Sequence, residues 1–139
     1  MRISARNQIK GTVANVAEGA VNGIVTIQAG GQAIKASITM ESIRELGLAE
    51  GKEAYAIVKA TNVMLAAGRI AGISARNQLE GTVVKVQEGA VNGHVTIELE
   101  GGERVCGSIT NEAIEDLGLE EGGPAVAIVK ATDVIVGVE

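Results

Sequence analysis

Ser4-Ala5-Arg6-Asn7 puts a hydroxyl, a guanidinium and a carboxamide on four successive residues. The small side chain of Ala5 leaves the main-chain amides beside it open to close approach. Thr39 and Ser42 stand three apart ahead of an apolar stripe, the spacing of a helix start. Free N–H groups and the helix dipole favour an anion there. Lys59 follows an apolar run, and Ala60 and Thr61 add further donors. Hydroxyls, amides and positive charge, with no histidine beside them to act as a general base, suit the holding of a tetrahedral oxyanion rather than the breaking of a bond. Each residue also has a plainer role open to it. Thr39 is a good N-cap, Lys59 a solvated strand end, Arg6 one half of a surface ion pair, and Gly19 and Gly23 turn residues.

The set recurs. Ser74, Ala75, Arg76, Asn77, Thr110, Lys130 and Ala131 repeat it, and Ala113 stands where Ser42 would return. Residues 3–29 match 73–99 at 19 of 27 positions, and 36–65 match 107–136 at 18 of 30, so nearly the whole chain is one unit written twice. Nearby surface positions have drifted, Lys10 to Glu80 and Arg44 to Glu115, whereas the donors have stayed. Gly19-Ala20-Val21-Asn22 also returns unchanged, as Gly89-Ala90-Val91-Asn92. The repeat implies two small domains, 1–67 and 72–139, with a linker at about 66–72.

Each unit reads mainly as strand. Gly11 to Val16 and Ile24 to Ile27 are β-branched and partly alternating, and Ala33 to Ile38 is a third strand after a Gly30-Gly31 turn. Asn22-Gly23 suits a tight primed turn. Thr39 to Leu46 predicts one short helix, stopped by Gly47. Ala54 to Val58 is apolar on both faces, and Asn62 to Leu65 closes the unit. Five short strands and a helical turn suggest two tandem five-stranded barrels of the oligonucleotide/oligosaccharide-binding type. The core has one Tyr and neither Phe nor Trp, so each half is marginal alone and the copies are expected to pack together and oligomerise.

Composition excludes several classes. The net charge is −5, divided as +3 over residues 1–69 and −8 over 70–139. With no basic face and no stacking aromatics, nucleic acid is not an expected partner. The lone Cys106 and lone His94 align with Lys35 and Ile24, so the repeated unit holds no catalytic pair and no metal-ligand spacing. Neither a P-loop nor a run of about 18 apolar residues is present. The expectation is a soluble, cytoplasmic protein that is not an enzyme and does not associate with membranes.

ISARNQ followed by GTV, then EGAVN, SIT-x-E, LGL and IVKAT resemble the Mop domain of molbindins, and the resemblance covers residues 2–137. It implies reversible binding of molybdate, and of tungstate, for storage or homeostasis, with no catalytic cofactor. It further implies a trimer of two-domain chains with anion sites between units. One kind of site would use Ser4, Ala5, Arg6 and Asn7 with Thr39, Ser42, Lys59 and Ala60, or Ser74, Ala75, Arg76 and Asn77 with Thr110, Lys130 and Ala131. A second kind, on the threefold axis, would use Gly19, Ala20, Val21 and Asn22 with Gly89, Ala90, Val91 and Asn92. Ala113 would leave some sites one hydroxyl short.

Overall fold

The computed structural model describes residues 1–139. The first repeat forms β1 (Asn7–Ala17), β2 (Asn22–Ala29), β3 (Gln32–Thr39), helix α1 (Met40–Glu45), β4 (Glu53–Val58), a 3₁₀ turn at Ala60–Asn62 and β5 (Met64–Ala66). The second forms β6 (Asn77–Glu88), β7 (Asn92–Leu99), β8 (Arg104–Thr110), α2 (Asn111–Leu117), β9 (Pro124–Val129), a 3₁₀ turn at Ala131–Asp133 and β10 (Ile135–Gly137). The protein is mainly β, with two curled five-stranded sheets and one short helix per repeat.

β1 serves two partners in succession. Asn7–Thr12 pairs with β4 and Thr12–Ala17 with β2, and the register shifts between Val13 and Asn15. The same shift falls between Val83 and Lys85 in β6. A bulge at this point bends a strand and increases its twist, which lets one long strand curl across both neighbours. Val13 is held there by a loop, its N–H donating to Lys52 O (2.8 Å) while its carbonyl accepts from Gly51 N–H (2.9 Å).

The closing strands are exchanged. The sheets run β10-β4-β1-β2-β3 and β5-β9-β6-β7-β8. Met64–Ala66, expected to close its own unit, instead pairs with Val126–Ile128, and Ile135–Gly137 pairs with Tyr55–Ile57. Each repeat therefore supplies the last strand of the other's sheet. As expected of two marginal halves, 27 of the buried residues join in one cluster drawn from both, including Val13, Ile27, Val63, Val83, Ile97 and Val134.

Local signals otherwise hold. Thr39 caps α1, its hydroxyl oxygen accepting from Ser42 N–H at 3.1 Å, and Thr110 caps α2 through Ala113 N–H at 3.1 Å. Gly30 (φ +59°) turns β2 into β3, and Gly47 (φ +63°) follows α1, both in the left-handed region that favours glycine. Asn22-Gly23 is not a primed turn. It opens β2, and Gly23 has no positive φ. A Cβ on Gly23 would stand 2.7 Å from Ile43 Cδ1 and 2.8 Å from Met40 Sδ, so the glycine admits α1 against the strand.

Candidate functional site

The pairing of β1 with β4 ends at Asn7 opposite Val58. Ser4-Ala5-Arg6 and Lys59-Ala60 therefore leave the sheet side by side at one end. In the second repeat Asn77 opposite Val129 does the same for Ser74-Ala75-Arg76 and Lys130-Ala131. Ser4, Arg6, Lys59 and their counterparts Ser74, Arg76 and Lys130 are exposed, whereas Ala60 and Ala131 are buried. The 3₁₀ turn that follows Lys59 closes with Asn62 N–H to Lys59 O (2.9 Å) and Val63 N–H to Ala60 O (3.3 Å). The amides of Ala60 and Thr61 precede the first closed ring, so the turn itself gives them no partner.

Charge is left open at these places. The ion pairs of the chain are Met1–Glu139, Lys10–Glu53, Arg69–Glu80 and Arg104–Glu98. None involves Arg6, Lys59, Arg76 or Lys130, although the chain carries 17 acidic residues. The surface ion pair open to Arg6 in sequence is not formed.

Strand exchange changes which donors meet. β3 packs on the Ala131–Asp133 turn, and β8 packs on Ala60–Asn62. Thr39 and Ser42 line a cleft of about 290 Å³ with Ser37, Thr132 and Ile135. Within one chain they face the lysine-bearing turn of the second repeat, not Lys59 and Ala60. The physical cause is that the turn and the closing strand after it travel together to the opposite sheet. Thr39 Oγ1 donates to Ser42 Oγ (2.9 Å), a link that Ala113 removes beside Thr110.

Asn7 and Asn77 are placed differently from their neighbours. They are 2 % and 1 % exposed, and their carboxamides bond main chain of the opposite repeat. Asn7 Nδ2 donates to Cys106 O (2.9 Å) while Cys106 N–H donates to Asn7 Oδ1 (2.7 Å). Asn77 makes the matching pair with Lys35, at 2.8 and 2.7 Å.

The Gly19–Asn22 and Gly89–Asn92 turns form a separate pair of features. Each hangs on the start of a helix, with Met40 N–H donating to Val21 O and Asn111 N–H to Val91 O, both at 2.8 Å. Ala20 and Ala90 are exposed, and Val21 and Val91 are 72 % and 70 % exposed at the tips. A Cβ on Gly19 would lie 2.3 Å from Asn22 O, and one on Gly89 2.6 Å from Asn92 O. Gly19→Ala is therefore expected to open the turn and cost about 1–3 kcal/mol, read as a lower denaturant midpoint with unchanged slope.

Arg69 was not marked by sequence reasoning. It shares with Arg76 a polar cleft of about 390 Å³, also lined by Gln32, Gln78, Glu80 and Glu100. Lying in the linker, it has no counterpart in the first copy, so the repeat comparison passes over it. Cys106 and His94 lie on neighbouring strands with Sγ and Nδ1 3.9 Å apart, and no group of three or more His, Cys, Asp or Glu is placed to hold a metal.

The TOBE domain matches residues 3–65 and again 73–136. The molybdenum transport protein ModE of Herbaspirillum seropedicae is 42% identical over all of this chain, and the molybdenum-pterin-binding protein MopA of Rhodobacter capsulatus is 42% identical over 97% of it. The chain spans about half the length of these curated relatives, 52% of each. A probable molybdenum-pterin-binding protein of Haemophilus influenzae is 50% identical to 47% of the chain, which covers 96% of it. A crystal structure of the cytoplasmic molybdate-binding protein ModG with molybdate bound superimposes with a TM-score of 0.96 at 48% identity, each chain covered completely. With two TOBE matches in tandem on a two-sheet fold shared along its whole length, the chain belongs to the TOBE-domain family as a two-repeat molbindin.

Proposed function

We propose that the chain binds molybdate, and tungstate with it, by reversible non-covalent capture, and serves in storage or homeostasis of these oxyanions in the cytoplasm. The observation that carries this reading is the open charge of Arg6, Lys59, Arg76 and Lys130. These four cations are kept in both repeats, stand beside Ser4, Ser74, Ala60 and Ala131, and have no carboxylate partner. A dianion arriving there exchanges water for donors already fixed in place, which avoids the ordering cost of a flexible site. The molybdate-bound ModG structure, with relatives named for molybdenum-pterin binding beside it, supports the choice of anion. No bond is made or broken in this scheme.

The repeats 1–67 and 72–139 act as the two domains, and sites form between units, with chains assembling as trimers. The exposed Val21 and Val91 suit burial on a threefold axis beside Gly19–Asn22 and Gly89–Asn92, where a second kind of site would lie. Neither a nucleic acid nor a membrane is a partner in this reading, and no helix is long and apolar enough to cross a bilayer.

Titration calorimetry of anion-stripped protein with molybdate, and with sulfate as control, tests the reading. Saturable binding of molybdate with little response to sulfate is expected. At a hundredfold excess over Kd the ligand should also stabilise the fold by about 2.7 kcal/mol. No heat and no thermal stabilisation would leave the barrel as a structural module.

A further inference from the structure

We propose that Asn7 and Asn77 are positioning residues, which hold the Ser4–Arg6 segment of one repeat at a fixed distance from Thr110 of the other, and Ser74–Arg76 from Thr39. The inference rests on the oxyanion reading above and deepens it. In sequence these asparagines look like ligands themselves. In the structure each carboxamide pairs with the N–H and C=O of a single residue, as a neighbouring strand would, and is buried while doing so.

The partners show what the clamp reads. Lys35 and Cys106 differ in size, charge and chemistry, yet both are gripped by the same two bonds. Only main chain is recognised, so the partner side chain was free to drift while the asparagine was not. Each grip lies four residues before a helix-capping threonine, Cys106 before Thr110 on β8 and Lys35 before Thr39 on β3. It also lies directly after a Ser-Ala-Arg segment, at the first strand residue. One side chain thus joins the two halves of a donor set that come from different repeats.

Other braces on these segments are not shared. Gln8 Nε2 donates to Ile3 O and Ala5 O at 3.4 and 3.3 Å. Gln78 instead bonds both main-chain groups of Ile70 at 2.9 and 2.7 Å, and Ile73 with Ala75 packs on Ala66, Val126 and Ile128. The asparagine clamp is the anchor common to both copies. Ser4, Arg6, Ser74 and Arg76 are otherwise exposed, and donors lose their value when a supporting group no longer holds them in place.

The test uses the whole chain and molybdate. Asn7→Ala is expected to weaken one class of sites at least tenfold and to leave the class served by Ser74–Arg76 unchanged. Asn77→Ala should do the reverse. Val13→Ala, a core variant on the same strand, should lower the melting temperature and leave the isotherm as it was. Wild-type isotherms for both asparagine variants would overturn the proposal and leave the oxyanion reading intact. Absence of molybdate binding by the unaltered chain would remove both. Should the variants not fold, amide hydrogen exchange on the unaltered protein decides. Saturating molybdate should slow exchange at Cys106 and Lys35, and unchanged exchange there would overturn the clamp's role.

Discussion

Lys59→Ala combined with Lys130→Ala is expected to lower molybdate affinity by about 10- to 150-fold at every site that draws on either lysine. A hydrogen bond to a charged group contributes about 1.5–3 kcal/mol, and a dianion left with one cation fewer loses at least that. The lysines sit at equivalent ends of β4 and β9, exposed and unpaired, so their removal strands no buried partner and should leave the melting temperature of the anion-free protein nearly unchanged. Each single variant should weaken only the sites it serves, which splits the isotherm into two classes. Lys10→Ala is the control. Lys10 already pairs with Glu53 at 3.4 Å, and its counterpart in the second repeat is Glu80, so calorimetry should find its binding unaltered. Equal loss in the control would mean that general charge, and not a built site, attracts the anion.

Deleting residues 134–139 should be the most damaging small change to the fold. β10 covers β4 with Val136, and Val134 fills the core just before it; both are buried. Fully burying a valine contributes about 1.5–3 kcal/mol, so two contribute about 3–6 kcal/mol, against a total near 5–15 kcal/mol for a domain. The shortened chain should melt at least about 10 °C lower by circular dichroism. It should also associate beyond the parent's assembly state, because β4 then offers an unpaired edge that another chain can fill. A truncated chain that keeps the parent's assembly state and melts at the parent temperature would show that the exchanged strand adds little.

The parts of this protein that were legible in sequence are those written in neighbouring residues. Thr39 before an apolar stripe announced a cap, Gly30-Gly31 a turn, and Ala54 to Val58 a strand covered on both faces. Strand exchange left no such mark. Val63-Met64-Leu65 and Val134-Ile135-Val136 are near copies, so either could close either sheet by its own pattern. The choice lies in how a short linker lets the chain cross, which is a long-range matter. Gly23 departs from its local turn pattern for a related reason. Its glycine answers Ile43 and Met40 packed above it, not a turn at its own position. A carboxamide beside Arg6, as at Asn7, looks in sequence like one more donor to a ligand. In the structure its carboxamide bonds main-chain atoms of Cys106, 99 residues away, and main chain leaves no signature in the sequence.

The order in which the chain is made gives the exchanged strands another meaning. When synthesis has passed Leu65, the first sheet holds β1 to β4 but lacks the strand beside β4, and β5 has nothing to pair with. Both wait for the second repeat, β5 for Val126–Ile128 and β4 for Ile135–Gly137. The first half is thus a nascent sheet with an open edge for the whole time the second is translated, and its contacts are among the most distant in the chain. Such pairings form slowly, and edges exposed meanwhile attract other chains. At the crowding of neighbouring ribosomes on one message, the β5 of one nascent chain is available to the wrong partner. The short Ala66–Gly72 linker, by keeping the correct β9 close at hand, favours closure within the chain that made it.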